Sequence, residues 1–422
     1  MAGNRVRNRV SRFDLEAARV ETPGCGSVAH LNNAGAALPT TRTLNAVAAH
    51  LELEATMGGY EAADRAADAV AAVRSSAARL IGANLDEIAL TTSDSMAWLK
   101  AFWGFVFGGG IARGQRVIVD RVFYSSHYLA LLQARRVHGI EIVLAPSRPD
   151  ATVDVDAFAA LLHRDSAGVA LVSITMVPTH CGVVNPVAEI GAMLRGHGAA
   201  YIVDACQAVG QMAVDVNEIG CDALTTTGRK WLRAPRGTGF LYTRRSFAER
   251  CDPPGIDGVS AVWNDADSYV LAHGAARFDE FESSIAARLG LGAAIDQLLE
   301  VGVDAVFERV QQLSGRLRRE LAALGGVRVT ETSAQRSGIV TFTVDGTDPT
   351  DIVTAARTAG VNINASRPTW SRLDADFAQL AGVVRASPHA YNTDDELDRL
   401  IAVVRDIAST SDRAPVGDTV RP

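Results

Sequence analysis

Hydrophobic positions along this chain follow two alternating rhythms. Short apolar runs lie at residues 87–90, 116–119, 141–144, 169–174, 200–203 and 239–242. Between and before them, apolar residues recur at helical spacing, over 41–54, 64–81, 126–138, 155–163 and 187–196. Continuous apolar strands separated by amphipathic helices predict a mostly parallel sheet with both faces covered. The rhythm changes near residue 285. Long helical patterns cover 284–299 and 303–324, strand patterns cover 327–330, 338–343, 361–365 and 382–386, and a helical pattern covers 350–359. A final helix opens with Thr393-Asp-Asp-Glu396, a capping box. The organisation expected is an N-terminal arm over 1–29, a large α/β unit over 30–284, and a smaller α+β unit over 285–409. The Ser-, Asp-, Pro- and Gly-rich tail over 410–422 is expected to be disordered.

Composition narrows the class. The chain has 422 residues, 48% hydrophobic and 21% charged, with a net charge of −7. That is ordinary for a soluble globular protein and gives no reason to expect nucleic acid or an acidic membrane as partner. No apolar run reaches the roughly 18 residues of a membrane span. Arg5, Arg7, Arg9 and Arg12 are not followed by the apolar core of a secretory signal, so a cytoplasmic enzyme is expected. The 5 cysteines are scattered without C-x-x-C spacing, which argues against a disulfide framework or a metal site.

One compositional fact points to chemistry. Among 41 basic residues only Lys100 and Lys230 are lysines. Arginine stays protonated and forms no Schiff base, so a retained lysine is a candidate for covalent work. Lys100 sits in an apolar helical pattern and reads as a helix lysine snorkelling to solvent. Lys230 sits in an irregular segment, Thr225-Thr-Thr-Gly-Arg-Lys-Trp, followed by Pro235, Gly237 and Gly239. Asp204 ends the apolar run Tyr201-Ile-Val-Asp, where α/β sheets bind ligands. A carboxylate there can pair with a pyridinium nitrogen, although such an Asp reads equally as a turn residue. Gln207 follows three residues on. Thr91-Thr-Ser-Asp-Ser95, with Ser93 and Asp94, closes a strand and opens a helix, offering hydroxyls and free N–H groups to a phosphate or simply capping the helix.

Asp204-Ala-Cys-Gln207, Asp222, Gly228-Arg-Lys-Trp231 and Gly237-Thr-Gly239 together resemble the fold-type I pyridoxal-phosphate (PLP) enzymes of aminotransferase class V. The likeness runs from Leu31-Asn-Asn-Ala-Gly35 to Arg385-Ala-Ser-Pro-His-Ala-Tyr-Asn392. It implies a seven-stranded, mostly parallel sheet and a homodimer with active sites at the interface. It implies PLP carried on Lys230, with Asp204 on the ring nitrogen and Gln207 and Thr179 near the ring oxygen. Tyr124 falls where an aromatic group stacks on the ring. Asp94, Ser95 and Thr227 fall on phosphate-loop positions, and Arg385 on the grip for the substrate carboxylate. Ala34, Gly35 and Tyr60 fall on the substrate side. Ser283 or Ser284 replaces a threonine that reaches the neighbouring subunit's phosphate. No metal is implied.

Two departures select within the family. Arg229 stands where many cysteine desulfurases have histidine, and residues 365–384 contain no cysteine where desulfurases carry a loop nucleophile. With Gly58-Gly-Tyr60 and Val177-Pro-Thr179, the pattern is more similar to cysteine-conjugate C–S lyases of ergothioneine and lincosamide pathways. The expected reaction is β-elimination from an S-substituted cysteine, giving thiol, pyruvate and ammonia. Tyr60, Arg233, Arg236 and Trp370 could line the pocket for the thiol portion. Transamination, or a decarboxylating or oxidative deamination on a similar conjugate in secondary metabolism, remains the alternative. A cofactor-free binding protein on the same fold would tolerate replacement of Lys230.

Overall fold

The computed structural model describes residues 13–164, 168–374 and 379–411. Residues 1–12 of the expected arm, and all of the expected tail beyond Ser411, lie outside them. Seven strands form the main sheet: β1 (Ile88–Thr91), β2 (Arg116–Val119), β3 (Glu141–Leu144), β4 (Val169–Thr175), β5 (Ala200–Asp204), β6 (Ala223–Thr227) and β7 (Gly239–Thr243). Their order is β1-β7-β6-β5-β4-β2-β3. Only β7 runs antiparallel to its neighbours, so the sheet is the mostly parallel one expected. β4, with the sequence Val-Ala-Leu-Val-Ser-Ile-Thr, is buried at every position and lies near the middle, whereas β3 is the half-exposed edge.

Alternation along these strands divides the interior into two cores, because successive side chains point to opposite faces. Tyr201, Val203, Leu224, Phe240 and Tyr242 face one cluster. The helices α1 (Thr41–Met57), α2 (Gly59–Ile81) and α5 (Ile285–Val301) lie on that side, with Val73, Ile81, Leu291 and Ile295 in the core. Ala200, Ile202, Ala223 and Leu241 face the other cluster, under α3 (Asp94–Phe107) and α4 (Ser125–His138).

A second sheet, order β8-β9-β11-β10, is wholly antiparallel: β8 (Val327–Val329), β9 (Val340–Val344), β10 (Asn364–Ser366) and β11 (Val383–Ala386). It packs with α6 (Val303–Ala322) and α7 (Asp394–Ser411) around a core of its own. The capping box of α7 closes as expected: Thr393 N–H donates to Glu396 at 3.2 Å and Glu396 N–H to Thr393 at 3.3 Å.

Several elements differ from the pattern reading. The expected strand over 361–365 is two pieces. Val361–Asn362 pairs in parallel with Ala29–His30, and only β10 joins the sheet. This pairing starts Leu31–Gly35 along the end of β11, where Ala34 N–H donates to Ser387 Oγ at 2.9 Å. β6 escaped notice because three threonines follow Ala223 and Leu224, yet all five residues are buried. A hairpin, Ala261–Asp265 with Ser268–Leu271, was also missed, since Trp263 is 77% exposed and the alternation carries no buried face. Lys100 does not snorkel. It is 4% exposed and its ammonium donates to Phe278 O at 2.6 Å and pairs with Glu280 at 2.9 Å.

Candidate active site

The register of the main sheet aligns the carboxyl ends of its central strands: Thr175 faces Asp204, and Asp204 faces Thr225. Loops leaving these ends therefore converge on one place, the usual ligand site of an open α/β sheet. A cavity there is lined by Ser93, Asp94, Ser95, Tyr124, Thr179, Asp204, Cys206, Gln207, Thr227, Arg229, Lys230 and Trp370. A larger apolar cavity lies behind Trp231, among Phe13, Ala17, Leu298 and Val306. The convergent polar groups mark the first cavity as the chemical one.

Lys230 follows β6 in a tight turn held at its base by Gly228 N–H to Thr238 O at 2.8 Å and Ala234 N–H to Gly228 O at 2.9 Å. A Cβ on Gly228 would lie 2.2 Å from Thr238 Oγ1, so the turn needs glycine there. Arg233 holds a left-handed φ of 63°, costly for a residue with a side chain. Its guanidinium is pinned by Leu38 O at 2.9 Å, Thr22 Oγ1 at 2.5 Å and the face of Tyr391 at 4.6 Å. The anchored turn aims Lys230, 7% exposed, into the cavity, where its Nζ donates to Cys206 Sγ at 3.0 Å.

Gln207 and Thr179 form a second group. Gln207 Nε2 donates to Ala34 O at 3.1 Å and Thr179 Oγ1 at 3.2 Å, while its Oε1 accepts from the Trp231 indole at 2.9 Å. Arg385, arriving from β11, donates to Thr179 O at 2.9 Å, Thr179 Oγ1 at 2.7 Å and Asn32 at 3.2 Å. Its Nε is buried with no partner. Burial, then the positive charge of Arg229, pulls the Arg385 guanidinium down to about 10. A buried cation with one uncommitted donor is suited to receive a carboxylate. Arg229 itself donates to Gly35 O.

The Thr91–Ser95 segment closes β1 and opens α3. Ser93 Oγ accepts from Met96 N–H at 3.2 Å and caps α3, and Ser95 is half-buried in its first turn. Asp94 points inward, its carboxylate accepting from Thr225 Oγ1 at 2.6 Å, so it does not oppose a phosphate at the loop. Asp204 accepts from Cys206 N–H at 2.9 Å. Burial, with the charge of Asp94 behind it, pushes Asp204 up to about 7.

Five residues from the sequence reading do not line this cavity: Ala34, Gly35 and Arg385 adjoin it through Gln207, Arg229 and Thr179, whereas Tyr60 and Ser283 stay apart. Tyr60 is 75% exposed in the first turn of α2, and Ser283 Oγ is buried without a partner just before α5. Neither lines it. Of the other pocket candidates, Trp370 is present, Arg233 serves the turn and Arg236 is exposed. His127 was missed. It lies fully buried between Asp94 and Asp204, at 3.3 Å and 3.6 Å. Its position three residues after Tyr124 puts both on one helix face, which is the signal that was available. The ligand atoms of Asp94, His127 and Asp204 lie within 4.8 Å of one another, a metal-like spacing that the sequence did not suggest.

Residues 29–400 match the aminotransferase class-V family. The chain belongs to that family. It is 30% identical over 387 residues to a probable hercynylcysteine sulfoxide lyase of Mycobacterium tuberculosis, covering 90% of this chain and 91% of that one. It is 28% identical to a probable cysteine desulfurase of Methanothermobacter thermautotrophicus, covering 88% and 92%. Among solved structures, the apo cysteine desulfurase of Thermococcus onnurineus superposes with a TM-score of 0.87 at 23% identity, covering 95% and 99%. A complex of the cystine C–S lyase C-DES with cysteine persulfide gives 0.81 at 22%, covering 91% and 99%.

As a member of this family the protein uses pyridoxal 5′-phosphate, and its residues fit that group. The cavity joins an amine on Lys230, a carboxylate on Asp204 and a hydroxyl-rich helix N-terminus at Ser93–Ser95. Next to it, buried Arg385 Nε still lacks a partner. No described helix is long and apolar enough to cross a membrane.

Proposed function

We propose that the protein is a C–S lyase that takes an S-substituted cysteine conjugate and releases thiol, pyruvate and ammonia by β-elimination. The observation that carries this reading is the pairing of Lys230 with an absence. Residues 365–384 contain no cysteine. The one thiol beside Lys230 belongs to Cys206, which is buried, and burial pushes it far above the usual thiol range. A protonated, enclosed thiol is a poor nucleophile. Elimination needs a base and no protein nucleophile, whereas persulfide transfer needs a mobile thiolate.

Lys230 would hold the cofactor, with Asp204 available to its ring nitrogen, Gln207 and Thr179 to its ring oxygen and Tyr124 to its ring face, while Ser93, Ser95 and Thr227 would receive the phosphate. The bound cofactor supplies an electron-withdrawing ring that stabilises negative charge at the substrate α-carbon. Arg385 Nε takes the α-carboxylate, and Thr179 and Asn32 keep its guanidinium from turning. Ala34 and Gly35 border the substrate through backbone carbonyls already held by Gln207 and Arg229. Lys230 Nζ would remove the α-proton, the electron pair left behind would expel the β-thiolate as the C–S bond breaks, and water would hydrolyse the released aminoacrylate to pyruvate and ammonia. Trp370, 48% exposed at the rim, covers the departing group.

The same reading includes a homodimer. The apolar hairpin exposes Val262, Trp263, Tyr269 and Val270, and Phe281 is exposed shortly before Ser283. Such a patch supports self-association, with Ser283 and Tyr60 completing the neighbouring site. Light scattering in solution should give twice the 44.6 kDa chain mass.

The deciding assay offers S-alkyl, S-aryl and S-oxide cysteines and measures pyruvate, ammonia, thiol and carbon dioxide. Pyruvate in equal amounts with thiol from the S-alkyl and S-aryl cysteines, and with sulfenic acid from the S-oxides, is expected. Alanine formed from free cysteine would replace the proposal with desulfuration, and carbon dioxide or an aldehyde without pyruvate would replace it with decarboxylation.

A further inference from the structure

At the wall of the cavity lies a polar trio of which the proposed chemistry uses Asp204 alone. His127 is fully buried, and Asp94 and Asp204 are 4% and 3% exposed. His127 Nε2 lies 3.3 Å from Asp94 and Nδ1 lies 3.6 Å from Asp204. Neither ring nitrogen has a hydrogen bond, so these two carboxylates are its polar surroundings. The ring cannot turn away, because it stacks on Trp98 at 4.7 Å and 11° and meets Phe123 and Tyr124 edge-on. Trp98 is in turn fixed by its indole N–H to Ser173 at 3.0 Å.

The remaining oxygens are committed. Asp94 Oδ1 accepts from Thr225, and Asp204 Oδ1 accepts from the Cys206 amide. That leaves Asp204 Oδ2 to His127. Two carboxylates sealed from water are costly unless matched by positive charge or by donors. An imidazole lies between them with one ring nitrogen toward each. Burial by itself would raise the Asp94 carboxyl, but His127 beside it and the Thr225 hydroxyl hold it below the usual range.

We propose that His127 is a positioning residue for the cofactor. It orients the Asp204 carboxylate toward the ring nitrogen and ties it, through Asp94, to the helix N-terminus that receives the phosphate. Asp94 opens α3 between Ser93 and Ser95, and Asp204 closes β5. The two ends of the cofactor are thereby gripped by one connected polar unit. This inference rests on the cofactor and not on the β-elimination proposal, so failure of the latter leaves it standing.

The test uses the full chain, freed of cofactor and titrated with pyridoxal 5′-phosphate, with binding and the visible spectrum as readouts. His127→Asn keeps an N–H near the Nδ1 position and so the donor to Asp204. His127→Gln keeps one near Nε2 only, and His127→Leu keeps neither. Expected cofactor affinity is near wild type for Asn and about tenfold weaker for Gln and Leu, the scale of one charge-assisted hydrogen bond. The visible band of the reconstituted protein should shift for Gln and Leu but not for Asn. Asp94→Asn should weaken binding alone and add nothing in the His127→Leu background, since it acts through the imidazole. Melting temperatures control for folding. If Leu does not fold, the Asn and Gln variants, both polar, decide the matter. Equal affinities for all three variants, affinities that follow melting temperature, or full additivity with Asp94→Asn would each overturn the proposal.

Discussion

Lys100 and Lys230 are the two lysines of the chain, and they are almost equally buried, at 4% and 7% exposure. Their surroundings are opposite. Lys100 lies mid-way along α3, its ammonium divided between the Phe278 carbonyl and the Glu280 carboxylate. Arg74 makes a parallel pair with Asp279 at 2.9 Å, so the segment just before α5 is clamped by two cations. Lys230 has a thiol as its hydrogen-bond partner, and its carboxylate neighbours are bound by His127, Thr225 and a backbone amide. Burial is thus shared by a structural lysine and a chemical one. What separates them is whether the ammonium has its acceptors satisfied by the fold or has been left in a cavity without them.

The contrast can be broken or sharpened by substitution. The largest effect is expected for Lys230→Ala, which should cut kcat/KM by about a thousandfold or more and remove the borohydride-trapped pyridoxyl label from the Lys230 peptide. A label on Lys100 would invert the comparison. Next, Arg385→Lys should cost about a hundredfold, chiefly in KM, because an ammonium cannot keep the Thr179 and Asn32 contacts and also offer a second donor to the carboxylate. Loss in kcat alone would remove Arg385 from substrate binding. Lys100→Met should act on stability instead. It leaves the Phe278 carbonyl without its donor, a loss of about 1–3 kcal/mol visible as a lower melting temperature, with cofactor attachment retained. The smallest effect belongs to Cys206→Ala, which should leave pyruvate formation near the wild-type rate. A loss as deep as that of Lys230→Ala would make Cys206 the nucleophile and end the elimination reading.

Much of this was legible in the chain because its determinants are local. The apolar run 200–203 ending in Asp204 became β5 with the carboxylate at its carboxyl end. The glycines and proline around Lys230 marked a tight turn, which the close approach at Gly228 bears out. The capping box of α7 and the Ser93 cap of α3 formed where spacing put them. Where pattern and burial parted, the reading failed. β6 looks polar, yet its threonines are interior because β5 and β7 flank it. Lys100 looked like a surface lysine because nothing within its own helix announces Glu280, 180 positions away.

The sequence by itself determined the sheet, the turn that aims Lys230 and the family to which the chain belongs, because strand period, glycine geometry and motif order are written in neighbouring residues. Tertiary structure decided the partners. Asp94 turns inward, Arg385 keeps one free donor, and His127 sits between two acids only because β5, α3, α4 and β11 meet at the end of one sheet. Those contacts join residues far apart in the chain, and no local pattern encodes a distance across the fold.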